Sequence, residues 1–275
     1  MATQRDKAAR LRELHQGQGL LVLPNAWDVA SAKVIEAAGA AAIATSSAGV
    51  AFALGYPDGE RISREEMLDM VRRIAAAVDV PVTADVEAGY GPDAEAAAAT
   101  ARGVLDAGAV GLNLEDADAR GELLPLELHA ARIRSARKVA GSAGVPLVIN
   151  GRTDAMAAKA LPAAERAAEA VRRANAWLEA GADCAFVPFV SDRDTIARLA
   201  REIRGPLNIL GGPGAPSLAE LKQLGVRRVS LGSAVARAAY GRARRATEEV
   251  LRSGTYQSIA EDAIPYADLQ RLLGG

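Results

Sequence analysis

Carboxylates follow short apolar runs at three places in this sequence. Asp85 and Glu87 lie in Asp85-Val86-Glu87-Ala88-Gly89-Tyr90-Gly91, Glu115 and Asp116 follow residues 110–114, and Asp154 closes Arg152-Thr153-Asp154 after residues 147–149. Brought to one rim, such groups repel one another unless a cation lies between them. Mg²⁺ answers that need, with Mn²⁺ as the alternative ion, because it takes oxygen ligands, keeps several waters and uses one or two direct carboxylates. Zinc does not fit: His15 and His129 follow none of the apolar runs, and Cys184 is the single cysteine. Arg152 among the acids suits bidentate binding of an anionic substrate. Ser46, Ser47 and Ala48 follow another run, 42–45, and Asp58 lies beyond it in Gly55-Tyr56-Pro57-Asp58-Gly59. An isolated Asp in such a place is often the N-cap of the next helix. That reading stands beside the chemical one for Asp116 and Asp154, whereas Asp85, Glu87 and Glu115 together are read as a metal set.

A repeated unit would hold these groups. Apolar runs at 20–23, 42–45, 80–84, 110–114, 147–149, 184–187, 207–210 and 229–231 are each too short for a helix, and several are β-branched, as strands buried on both faces should be. Helical patterns separate them, for instance Met67, Leu68, Val71, Ile74 and Ala75. Gly39, Gly108, Gly181 and Gly225 stand where a helix must stop before a strand, and Pro81, Pro146 and Pro206 read as first strand residues. Eight βα units predict an α/β (β/α)8 barrel with an extra C-terminal helical segment, in one domain spanning 1–275. The barrel core is placed at about 20–233, and 234–275 hold the last barrel helix and a tail that could be exchanged with a neighbouring subunit. A doubly wound sheet is the rival, but Pro24-Asn25-Ala26-Trp27-Asp28 is no glycine-rich phosphate turn. In a barrel the active site lies at the C-terminal strand ends, where these acids fall.

Composition narrows the class of function. The 275 residues carry a formal net charge of −1 with charges of both signs interspersed, so no basic footprint for nucleic acid or anionic lipid exists. No apolar run approaches a membrane span, the N-terminal residues lack the apolar core of a signal peptide, and a lone cysteine excludes an intrachain disulfide; a cytoplasmic home is expected. Gly211-Gly212-Pro213-Gly214 and Gly232-Ser233 could cradle a phosphate, but ordinary turn chemistry is the favoured reading. Cys184, Trp27 and Trp177 read as packing, and Arg242, Arg244 and Arg245 as a solvated or subunit-contact face.

Four segments, in order, resemble the isocitrate lyase/phosphoenolpyruvate mutase superfamily. Leu54-Gly55-Tyr56-Pro57-Asp58 resembles its second-strand loop, Asp85-Val86-Glu87-Ala88-Gly89-Tyr90-Gly91 its metal loop, Leu112-Asn113-Leu114-Glu115-Asp116 its L-E-D strand end, and Ile149-Asn150-Gly151-Arg152-Thr153-Asp154 its A-R-T-D segment, with Gly151 for the usual Ala. The resemblance implies that Asp85 contacts Mg²⁺ most directly, with Glu87 and Glu115 reaching it partly through water. It implies that Asp58 stands beside the reacting centre, that Ser46 and the amides of Ser47 and Ala48 hold a substrate carboxylate, and that Arg152 and Asn208 bind substrate. It also implies a dimer or tetramer whose eighth helix docks on a neighbour.

The departures select among activities. Isocitrate-type lyases place a Cys acid, and phosphonate mutases a Lys and an Asn, in the segment that here reads Asp116-Ala117-Asp118-Ala119-Arg120-Gly121-Glu122-Leu123. The enolate half of the site is present and the proton-delivering half altered. The expectation is a Mg²⁺-dependent lyase acting on a small 2-oxo or 2-hydroxy dicarboxylic acid, by decarboxylation or C–C cleavage of an oxaloacetate-like substrate. The rivals are a 2-methylisocitrate-type lyase with a substitute acid, P–C chemistry on a phosphonate, and a non-catalytic 2-oxo acid sensor. A Schiff-base aldolase is disfavoured, since no lysine lies in a strand candidate.

Overall fold

The structure, a computed structural model, describes residues 2–274. Helix α1 (Gln4–Gln16) precedes β1 (Leu21–Leu23), β2 (Asn25–Ala26), α2 (Val29–Ala37), β3 (Ile43–Thr45), α3 (Ser47–Ala53), α4 (Arg64–Ala77) and β4 (Val82–Asp85). Then follow α5 (Ala94–Asp106), β5 (Gly111–Glu115), α6 (Leu126–Ala143), β6 (Val148–Arg152), α7 (Ala163–Glu179), β7 (Cys184–Val187), α8 (Arg193–Glu202), β8 (Leu207–Leu210), α9 (Leu218–Gln223) and β9 (Arg228–Ser230). The chain ends in α10 (Ala234–Ser253), α11 (Gln257–Ala260) and α12 (Tyr266–Leu273).

Every strand pairing is parallel, in the order β1-β9-β8-β7-β6-β5-β4-β3-β2. β1 and β2 are one strand broken at Pro24, so the nine segments make the expected eight-stranded barrel. The lower half lies on β9, with Leu21 opposite Arg228, and the upper half on β3, with Asn25 opposite Ala44. Pro24 has no N–H to give, but its carbonyl accepts from the Ala44 amide at 3.1 Å. The Asn25 carboxamide ties the upper seam. Its Nδ2 donates to the Thr45 carbonyl at 2.8 Å, and its Oδ1 accepts from the Leu231 and Gly232 amides at 2.8 and 2.9 Å.

The stop and start signals work as their chemistry requires. Gly39, Gly108, Gly181 and Gly225 all have φ between 87° and 110°, the left-handed region that ends a helix. The prolines differ from expectation: the ladders begin at Val82, Val148 and Leu207, after Pro81, Pro146 and Pro206. A residue without an N–H sits outside the ladder, and Pro81 and Pro206 contribute only carbonyls, accepting from Ile43 and Ala185 at 2.9 Å each. Helix α1 closes the N-terminal mouth. Its Ala8, Leu11 and His15 are buried, and the fit is close: a Cβ on Gly111 would lie 2.9 Å from Leu11 Cδ2.

The C-terminal segment departs from a regular barrel. Among the described residues of α10, Ala236 alone is buried. The tail rests on its own chain. Arg242 holds the carbonyls of Ser258 and Glu261 at 2.6 Å each, and Ile264 and Leu272 share a cleft with Val34 and Ala37 of α2.

Gly151 shows how packing chose a residue. A Cβ there would stand 2.9 Å from Trp177 Cβ and 3.3 Å from Ile133 Cδ1, and Trp177 is fully buried. Gly151→Ala overpacks this contact. It should lower the urea midpoint, with an unchanged slope, by the equivalent of about 1–3 kcal/mol.

Candidate functional site

A cavity of about 150 Å³ opens at the C-terminal strand ends, lined by Ser46, Ser47, Ala48, Asp58, Asp85 and Arg152 among others. The strand ends set their positions. Asp85 is the last residue of β4 and Asn113 stands opposite it on β5; Glu115 and Arg152 are paired last residues of β5 and β6. Ser46 caps α3, its Oγ accepting from the Gly49 amide at 3.1 Å. That helix starts directly off β3, which swings Ser47 onto Asp85. The Ser47 amide and Oγ both donate to Asp85 Oδ2, at 3.1 and 2.8 Å. The Ser47 amide is therefore already engaged by Asp85, leaving Ser46 Oγ and Ala48 on the wall.

Asp85 Oδ1 is buried and has no hydrogen-bond partner. Around it the other acids are poorly solvated. Burial, then the charge of Asp85, pushes the Glu87 carboxyl up to about 7. The same causes raise Asp58. Burial raises Glu115 against the pull of Arg152. Glu87 and Tyr90 have φ of 48° and 57°, strained values for non-glycine residues. Arg132 of α6 clamps this loop, donating to the carbonyls of Ala88 and Gly91 at 2.7 and 2.6 Å, while the Tyr90 amide donates to Glu60 at 2.9 Å.

Arg152 is held on every side. Nη1 meets Glu115 at 2.6 Å, Nε and Nη2 meet both oxygens of Asp154 at 2.7 and 2.8 Å, and the guanidinium lies 5.7 and 5.8 Å from the ring centres of Phe186 and Phe189. Burial opposes its charge, but Glu115 and Asp154 more than restore it. Phe189 itself has φ 62°.

Asp116 and Asp154 cap no helix; α6 and α7 begin after Pro125 and Pro162. Asp116 is fully buried, accepting from Arg173 Nη1 at 3.0 Å and from the Asp154 amide at 2.9 Å, so it fixes the end of β6. Asn208 lies off the cavity wall, buried and hydrogen-bonded to Ser230 Oγ at 3.2 Å. The wall instead includes Asn25, Asn113 and Ser230, which the sequence reading passed over. Their signal was a polar residue inside an apolar run, as in Leu112-Asn113-Leu114. The loop at 117–124 adds no acid to the wall. It folds as a hairpin bridged at Ala117 and Leu123, with Asp118 Oδ1 taken by the amides of Arg120 and Glu122.

Among the described residues no three His, Cys, Asp or Glu side chains converge as a ready cage. The donor chemistry still fits an ion held by one direct carboxylate and a water shell, as Mg²⁺ prefers. Asp85 Oδ1 is the unpartnered oxygen, and burial disfavours the ionised forms of Asp58, Glu87 and Glu115, even though Glu115 is paired with Arg152.

Residues 11–251 match the family described as phosphoenolpyruvate phosphomutase. An uncharacterized protein of Mycobacterium tuberculosis (strain ATCC 25618 / H37Rv) is 34% identical over 95% of both chains. The chloroplastic carboxyvinyl-carboxyphosphonate phosphorylmutase of Arabidopsis thaliana is 33% identical over 78% of this chain and 66% of its own. An oxaloacetate decarboxylase of Rhodopseudomonas palustris (strain BisB18) is 31% identical over 65% and 60%. Among solved structures, a protein of Burkholderia cenocepacia J2315 described as a lyase/mutase superposes with TM-score 0.92 at 36% identity over 99% and 98% of the two chains. A 2,3-dimethylmalate lyase superposes with TM-score 0.84 at 26% identity over 99% and 95%. Among the described residues no helix is long and apolar enough to cross a membrane.

The buried Asp116–Arg173 pair allows a direct test of how the rim is supported. Asp116→Ala leaves the Arg173 Nη1 buried beside the Leu124 carbonyl without its acid there, while Nε keeps Glu169 at 2.6 Å. Loss of about 1.5–3 kcal/mol in chemical unfolding is expected; a loss below about 0.5 kcal/mol would mean that the pair does not hold this rim.

Proposed function

Because the chain belongs to the phosphoenolpyruvate phosphomutase family, within the isocitrate lyase/phosphoenolpyruvate mutase superfamily, we propose that it is a Mg²⁺-dependent carbon–carbon lyase of a small 2-oxo or 2-hydroxy dicarboxylic acid. Decarboxylation or C–C cleavage of an oxaloacetate-like substrate fits best. The observation that carries this reading is the cavity itself. At about 150 Å³ it falls well below the roughly 300–1,000 Å³ of drug-sized clefts, and its lining includes both the Arg152 guanidinium and Asp85, one of whose carboxylate oxygens has no partner.

The residues divide the work. Asp85 would hold the ion directly, and Glu87 and Glu115 would reach it through its water shell. When bound, the ion supplies positive charge next to the substrate oxygen that becomes negative. Ser46 Oγ and the Ala48 amide orient one carboxylate. Arg152 takes a substrate oxygen by exchanging part of its contact with Asp154 or Glu115, so an anion enters without leaving a buried charge unpaired. Phe186 and Phe189 cover the face of that guanidinium and exclude water from it. Asp58, whose carboxyl keeps its proton to higher pH than usual, faces the same space beside the reacting centre. Departing CO₂ needs no proton, which suits a site whose 117–124 loop offers no acid.

We infer an oligomer from α10. Its Tyr240 and Leu251 are 43% and 80% exposed, and an apolar groove of about 680 Å³ runs beside β1 between α1 and α2, lined by Leu14, Leu20, Val34 and Ile35. A second copy of the chain fits that pair of surfaces. Sedimentation equilibrium should give a dimer or larger; a monomer at every accessible concentration would contradict it.

Two kinetic results are expected. Excess chelator should abolish turnover, and Mg²⁺ or Mn²⁺ should restore it, while Asp85→Ala should stay inactive at any ion concentration. Oxaloacetate should show a higher kcat/KM than isocitrate or 2-methylisocitrate once its metal-catalysed background loss is subtracted, because a positioned acid contributes about 10²–10⁴-fold to the protonation those cleavages require. A tricarboxylate favoured tenfold would overturn the substrate assignment.

A further inference from the structure

A fully buried arginine lies beneath the cavity and plays no part in the chemistry above. Arg228, on β9, has no exposed surface and no carboxylate within ion-pair distance among the described residues. Its Nη1 faces His15 Nε2 at 3.2 Å, its Nη2 donates to Asn113 Oδ1 at 3.2 Å, and its Nε has no partner. An isolated buried charge destabilises a fold, so packing alone gives no reason for it.

The hydrogen bonds around it run in one direction. His15 Nδ1 lies 2.8 Å from the Leu11 carbonyl, which can only accept, so Nδ1 carries the proton and Nε2 is the acceptor facing Arg228. Burial, then the charge of Arg228, lowers the His15 pKa to about 4 and keeps that ring neutral. A guanidinium can only donate, so the Asn113 atom it touches must be the carbonyl oxygen. Asn150 Nδ2 donates to the same oxygen at 2.6 Å. The Asn113 carboxamide therefore cannot flip. Its oxygen is saturated from below by two buried donors. Its Nδ2 makes no hydrogen bond among the described residues, while Asn113 lines the cavity beside Asp85.

We propose that Asn113 is a substrate-binding residue that donates its Nδ2–H to the anionic oxygen of the bound acid, and that Arg228 is its positioning residue, pinning and polarising the carboxamide from beneath. The proposal rests on the reading of the cavity as a site for a small oxo acid, but on no particular substrate. Donors on the saturated oxygen draw electron density from the amide and strengthen the bond its N–H gives. A fixed donor facing a developing oxyanion needs no reorganisation as charge accumulates.

The test reads binding of oxalate, a planar dianion shaped like a small enolate, by calorimetry in the presence of Mg²⁺, so it stands whatever substrate the enzyme turns over. Asn113→Asp keeps the shape, gives Arg228 the acid it lacks and removes the donor. It should melt at or above the wild-type Tm and bind oxalate at least tenfold more weakly. Asn113→Ala removes the donor without adding charge and should lose a similar factor. Arg228→Met frees the carboxamide to flip and should lower oxalate affinity about threefold to tenfold; added to Asn113→Asp it should cost nothing further. If Asn113→Asp fails to fold, Asn113→Ala and Arg228→Met carry the test. Wild-type oxalate affinity in Asn113→Ala would overturn the contact, and wild-type affinity in Arg228→Met would reduce Arg228 to a structural residue.

Discussion

Carboxylates crowded into a rim with little water cannot all stay ionised, and much of the surrounding structure manages that constraint. Asp85, Asp58, Glu87 and Glu115 come from the ends of two adjacent strands and from two loops, and burial works against the charge of the last three. The chain offers partial relief: Ser47 gives two donors to one oxygen of Asp85, Arg152 takes Glu115, and the Glu60 amide takes Glu87. The other oxygen of Asp85 is left without a partner. An arrangement that spends so many donors and still leaves one buried acceptor open suits the proposed Mg²⁺ site.

Holding such a cluster requires rigid support, and it comes from helices outside the barrel. Arg132 of α6 fixes the strained loop at 86–91, and Arg173 of α7 fixes Asp116 and through it the end of β6. Strain at Glu87, Tyr90 and Phe189 falls in the loops that follow β4 and β7, at the rim. Beneath the rim, α1 seals the barrel floor, so polar groups inside the barrel work in a dry environment where each hydrogen bond is strong and each unpaired charge costly. Closure at the Pro24 break, stitched by Asn25, keeps the rim continuous from β3 to β9.

The barrel was legible because its punctuation is local. Glycines that end helices and prolines that precede strands act within a few residues, and so do the apolar runs between them. The acids at the strand ends were legible for the same reason: a charge following a buried run must sit at an edge. What escaped was long-range. Nothing within a few residues of Asn25 reveals that it bridges β3 and the end of β9, and nothing near Arg228 shows that it meets His15, 213 positions earlier. The resemblance pointed Asn208 at the substrate, but its side chain is taken by Ser230 and held off the cavity wall. The roles of Asp116 and Asp154 depended on Arg173 and Arg152, partners that spacing alone does not disclose. Gly151 is explained by Trp177, which lies on the following helix.

The claim that the rim is built around a cation is tested most directly by titrating the protein with Mg²⁺ in a calorimeter, in buffers of different ionisation enthalpy. Glu87 carries a folded pKa near 7 in place of its ordinary 4.5, so without the ion it binds part of a proton at neutrality. A cation favours its ionised form. Binding should therefore release protons around pH 7, strengthen as pH rises through that value, and vanish in Asp85→Ala. Mg²⁺ affinity that ignores pH and survives Asp85→Ala, or no binding at all, would contradict the account.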